Sequence, residues 1–132
     1  MRSITCMTAA LAFCACSGQA TAKAKDNAAA KPAAFQLNET TWTYVDKKTK
    51  VRESIDADGN YVENALNGKR IDYGKAVMKD GKVCFTSAMT KDGESCWTTS
   101  PVKIGHSMNT VSDKGEKLKV TRVPYVKLSK SK

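Results

Sequence analysis

From residue 41 onward, apolar and polar side chains alternate with a period of two in short runs, and each run is cut off by a turn signal. Val51, Glu53 and Ile55 fall on one phase against Arg52 and Ser54. Val102, Ile104, His106 and Met108 face off against Lys103, Gly105 and Ser107, and Leu118 and Val120 against Lys117, Lys119 and Thr121. A two-residue period is the mark of a strand with one face packed and the other wet. The breaks are Asp58-Gly59, Asn67-Gly68, Asp80-Gly81, Asp92-Gly93 and Asp113-Lys114-Gly115, pairs that tolerate the positive φ of tight hairpins. Their spacing of 9 to 13 residues is interrupted by one double interval, which Ser100-Pro101 divides. The pattern predicts eight strands: 41–45, 51–55, 61–66, 70–78, 82–86, 95–99, 102–111 and 117–126. No helical stripe competes with them. The expected fold is therefore all-β, an antiparallel meander of about eight short strands forming a small barrel or a two-layer sandwich. It occupies residues 35–128, enough chain for a single core.

Ahead of this domain the pattern is different. Arg2, an apolar run from Ile4 to Ala15 and the string Ala12-Phe13-Cys14-Ala15-Cys16-Ser17-Gly18 read as an export signal over residues 1–15. The apolar run falls short of the ~20 residues a membrane-crossing helix needs. The residues around Cys16 resemble the lipobox of bacterial lipoproteins, although Phe13 stands where that family usually has Leu. The resemblance implies acylation of the Cys16 thiol, a membrane partner through that anchor and, through Ser17, outer-membrane sorting with the domain facing the periplasm. Ala20-Thr21-Ala22 offers a competing cut after residue 22, which would release a soluble periplasmic or secreted protein. Residues 16–34 carry little beyond Ala and Lys before Phe35 and read as a flexible tether.

Export changes the meaning of the cysteines. Of five, Cys6 and Cys14 leave with the signal and Cys16 is acylated or cut away, so Cys84 and Cys96 are expected to pair in an oxidising compartment. If they oppose one another across a hairpin at Asp92-Gly93, Val83 faces Trp97 and Phe85 faces Ser95 on the opposite surface. Phe85 and Trp97 then lie on a diagonal within aromatic reach.

The net charge of +9 invites a nucleic-acid reading, but its distribution and the export signal argue against that partner. Residues 36–113 balance 11 Lys and Arg against 11 Asp and Glu, while residues 114–132 carry seven basic residues and one acid. Lys117, Lys119, Arg122 and Lys127 are candidate contacts to an anionic envelope polymer, and residues 129–132 form a basic tail. As a bland alternative, the lysines are the wet face of an edge strand. Alternation points Arg122 inward, where Asp72 or Glu63 is a conceivable partner.

No catalytic or cofactor motif is present, so neither cofactor nor metal is expected. The single histidine, His106, sits on an alternating run and reads as a core-edge or rim side chain. Asp56-Ala57-Asp58-Gly59-Asn60 has a faint look of a calcium loop but lacks its closing Glu, and reads as a turn. Asn38-Glu39-Thr40 matches a glycosylation acceptor, incidental behind a bacterial signal. Asp58-Gly59-Asn60-Tyr61, Gly81-Lys82-Val83-Cys84-Phe85 and Cys96-Trp97, together with the signal, resemble small proteobacterial envelope lipoproteins whose domains are short lipocalin-like barrels. The expectation is a non-enzymatic envelope lipoprotein acting as a partner-binding or structural module in the periplasm, its partner an envelope protein or an anionic envelope polymer. A large cavity is not expected once Trp42, Phe85 and Trp97 are inside. The alternatives are a soluble secreted ligand-binding barrel and an envelope glycan enzyme built on Asp72, Glu94 and His106.

Overall fold

The computed structural model describes residues 35–129. The signal, Cys16, the tether and all but the first residue of the basic tail lie outside that range.

Eight strands form: β1 (Thr40–Asp46), β2 (Thr49–Ile55), β3 (Asn60–Ala65), β4 (Arg70–Lys79), β5 (Lys82–Ser87), β6 (Glu94–Thr98), β7 (Ser107–Val111) and β8 (Lys117–Val123). Each of the first five strands pairs antiparallel with the next, β7 pairs with β8, and β8 returns to β1 through Thr41 to Thr43. The sheet order is β6-β5-β4-β3-β2-β1-β8-β7, which leaves β6 and β7 as its two edges. These edges meet at one bridge, Trp97 to Ser112. Around it, Val111 N donates to Thr98 Oγ1 (3.0 Å), Thr110 Oγ1 to Thr98 O (2.6 Å) and Asp113 N to Cys96 O (2.9 Å). The result is a nearly closed barrel-like sheet, the barrel rather than the sandwich.

Turn chemistry accounts for most of the hairpins. Asp56 Oδ1 accepts from the backbone nitrogens of Asp58 (2.9 Å) and Asn60 (2.8 Å), and Oδ2 from Asn60 Nδ2 (2.8 Å). The Asp56–Asn60 stretch is thus a closed Asx-type turn. At the β1–β2 tip the two central residues are Lys47 (φ 45°) and Lys48 (φ 74°), a left-handed pair filled by side chains that rarely choose it. The seventh expected strand is shorter than its alternation implied. Pro101 has no amide hydrogen, and Gly105 takes φ 87°, letting His106 N donate back to Lys103 O (3.0 Å). Residues 102–106 therefore form a loop, and His106 stands exposed on it just before β7. β8 stops at Val123 before Pro124, and the segment beyond docks outside the barrel, where Val126 N donates to the fully buried Thr41 Oγ1 (2.8 Å).

Inside, Leu37, Trp42, Ile55, Tyr61, Val83 and Val120 form the buried cluster. Each fully buried large side chain of this kind is worth about 1.5–3 kcal/mol. Cys84 and Cys96 are joined as a disulfide, in the expected register with Val83 opposite Trp97 and Phe85 opposite Ser95. Phe85 places its ring against Tyr61 rather than Trp97, edge to face with centroids 5.0 Å apart.

Candidate functional site

The inward phase of β1 to β4 carries a row of polar side chains that a packed core does not need. Trp42 stands opposite Glu53, Glu53 opposite Glu63, and Glu63 opposite Asp72, so three carboxylates lie side by side across three neighbouring strands. Directly opposed like charges weaken a strand pair, and burial makes each of them costlier. A register shift between Glu63 and Asn64 leaves Ile71 unpaired, which brings Asp72 into line. Such bulges re-aim side chains.

Two tyrosines hold the row. Tyr44 Oη donates to Glu63 Oε1, and Tyr61 Oη donates to Asp72 Oδ2 (2.7 Å). Ser87 Oγ donates to Asp72 Oδ1 (2.6 Å), and Glu53 lies directly opposite Glu63 across β2 and β3. Glu53 is buried, and burial, then the neighbouring Glu63 charge, pushes its carboxyl well above the usual range. Burial also raises Glu63, against the lowering influence of the Tyr44 and Glu53 hydrogen bonds. Both tyrosine hydroxyls are pushed up, first by burial and then by the carboxylates beside them. A proton between Glu53 and Glu63 and two phenolic donors are what make so dense a row tolerable.

The row faces a cavity of about 500 Å³ inside the barrel. Trp42, Tyr44, Tyr61, Phe85 and Trp97 supply its aromatic wall. Asp46 at the end of β1, and Lys47, Asp92 and Lys114 from the β1–β2, β5–β6 and β7–β8 connections, also line it. In a meander these alternate connections share one end of the barrel, so the cavity opens there, and Leu37 lines it from the segment leading into β1 at the other end. This corrects the expectation of little internal room. Phe85 and Trp97 are only partly buried, so they line the space instead of filling it.

The residues expected to act together as an enzyme site do not meet. Asp72 is in the row, Glu94 pairs with Lys79 on the outer surface (2.6 Å), and His106 is on the exposed loop. Arg122 points inward as alternation implied, but its Nη1 donates to Val102 O (2.8 Å). It bonds neither Asp72 nor Glu63; the backbone carbonyl of Val102 takes it instead. Lys117 lines the cavity mouth, Lys119 sits on the outer wall opposite Asn109, and Lys127 is exposed on the segment after β8. The four basic candidates are thus divided between the two faces of the sheet.

Among the described residues, the one trio of ligating side chains with atoms within 4.8 Å of one another is Cys84, Glu94 and Cys96, and its sulfurs are already bonded together. The carboxylate row does not converge on a point as a metal site would. The chain matches no protein-family model, no curated protein and no solved structure. Its chemistry is carried by its own geometry. One signal for the row was present in the sequence: Glu53 occupies the apolar phase between Val51 and Ile55.

Proposed function

We propose that this protein is a non-enzymatic, exported envelope lipoprotein, anchored through Cys16, whose barrel takes up a small molecule. The observation that carries the proposal is the cavity of about 500 Å³ in which an aromatic wall faces a row of fixed polar groups. Sites for small molecules usually span ~300–1,000 Å³ and set placed polar groups against apolar and aromatic walls. The carboxylates support binding over hydrolysis. Tyr44 holds Glu63, and Tyr61 and Ser87 hold Asp72, so these carboxylates are fixed as acceptors instead of standing free as an acid and a base. The tether and anchor would leave the barrel free to exchange ligand at the envelope.

Both tryptophans of the chain, Trp42 and Trp97, line the cavity, so the protein carries its own reporter. Titration with the neutral fluorophore N-phenyl-1-naphthylamine is expected to saturate at one probe per chain, with energy transfer from tryptophan. Ser95→Phe, which fills the cavity from β6, is expected to abolish it while the melting transition survives. Probe binding unaffected by that substitution would place the site elsewhere and end the reading. Intact mass from an envelope fraction, beginning at Cys16 with acyl chains, is the matching result for the anchor.

A further inference from the structure

We infer that the ligand of this cavity is a small organic cation: an ammonium or guanidinium head on a flat apolar body. The inference rests on the ligand-binding reading and names its class.

Three features of the cavity converge on that class. The first is charge. Six acidic and three basic residues line the space. Asp46, Asp92 and Glu116 offset Lys47, Lys114 and Lys117 around the mouth, so the excess of three acids is Glu53, Glu63 and Asp72 on the inner wall. Arg122, whose side chain is on the inward phase of β8, is committed to the Val102 carbonyl. An anionic ligand entering this space would meet a row of carboxyl groups that, even with a proton between Glu53 and Glu63, stays acidic; a cation would balance it.

The second is shape. The carboxylates lie in a row across β2, β3 and β4, and their oxygens do not close around a point within 4.8 Å, as those of a bare metal ion would. A row of acceptors suits a head group with several N–H donors, which can bond neighbouring carboxylates at once. The third is the wall. Trp42, Tyr44, Tyr61, Phe85 and Trp97 offer faces for an apolar body and for cation–π contact with its head. Thr99 Oγ1, in the same lining, is buried with no hydrogen-bond partner, an arrangement that a polar substituent on the ligand would relieve.

The test is isothermal titration of the full chain at pH 7.5 with four probes of one size: phenethylamine, phenylguanidine, phenethyl alcohol and phenylacetate. The two cations are expected to bind at least about tenfold more tightly than the alcohol, and the acid not at all. Glu63→Gln and Asp72→Asn are each expected to erase the preference for the amine over the alcohol while the naphthylamine probe still binds and the melting transition survives, an outcome that a merely unfolded variant does not give. Equal or tighter binding of the alcohol or the acid overturns the cation class while the cavity remains a ligand site. Binding of N-phenyl-1-naphthylamine with no response to either cation overturns it in the same way. Failure of every probe, the naphthylamine included, counts against both the class and the ligand-binding reading beneath it.

Discussion

Replacing Glu53 with glutamine tests whether the interior row costs the fold stability at neutral pH. Glu53 and Glu63 are direct cross-strand neighbours, with Asp72 next along, and burial followed by the Glu63 charge raises the Glu53 carboxyl well above its ordinary value. A group raised in this way holds its proton longer in the folded chain than in the unfolded one. Its contribution is therefore fully present below the unfolded value of about 4.3 and is lost as pH rises through the folded value. Two charges about 5 Å apart repel by about 3 kcal/mol at an effective dielectric constant of ~20. The proton held between the two glutamates relieves part of that, leaving about 1–2 kcal/mol for Glu53→Gln to recover at pH 8. The glutamine amide keeps a donor for Glu63, so the gain is not offset by an orphaned acceptor. In a domain of this size the expected rise in Tm is roughly 5–15 °C at pH 8, fading to nothing by pH 4.5. Thermal melts followed by circular dichroism at four pH values between 4.5 and 8 read both arms. A wild-type protein that gains stability from pH 5 to 8 as much as the variant does, or a variant no more stable than wild type at pH 8, would refute the reasoning.

Two other substitutions probe the frame around the site. A Cβ at Gly74 would lie 2.0 Å from the backbone oxygen of Thr86, so Gly74→Ala forces β4 away from β5 and is expected to cost at least about 3 kcal/mol, read as a lower urea midpoint at unchanged slope. Thr41→Val removes the bonds to Ser54 Oγ (2.8 Å) and Val126 N (2.8 Å), with an expected loss of about 1–3 kcal/mol. Hydrogen exchange at the Val126 amide is expected to speed up while the β2–β3 ladder keeps its protection.

How much of this the sequence disclosed depends on the range of the interaction. Hairpin positions and the disulfide register follow from local turn chemistry, and both are where alternation and spacing placed them. Closure is a different matter, since a period of two says which side of a strand is dry but not whether the sheet meets itself. The alternation over Val102–Val111 implies a longer strand than forms, because Gly105 in the left-handed region breaks a pattern that side-chain types alone continue. The carboxylate row was legible at Glu53 and hidden at Asp72. On β4 the phase that holds Ile71 and Val77 looks like the buried one, yet both are exposed, because the bulge after Glu63 and the thin inner phase of Gly74 and Ala76 reverse the reading. The Arg122 partner is a backbone carbonyl, which has no sequence signature.

The pairing of β8 with β1 also sets the order of events by which the molecule comes into being. Every other ladder joins neighbours in the chain, but Thr41 meets Val123 across nearly the whole domain. Contacts so distant in sequence are slow to form, because the chain between them must be gathered before they return any stability. Until β8 has been made and brought round, the first six strands are a curled ribbon with open edges and the carboxylate row still in contact with water, where its mutual repulsion is weak. The step that completes the barrel is therefore the step that dries the carboxylates, and folding speed is expected to fall as pH rises for the same electrostatic reason that stability does.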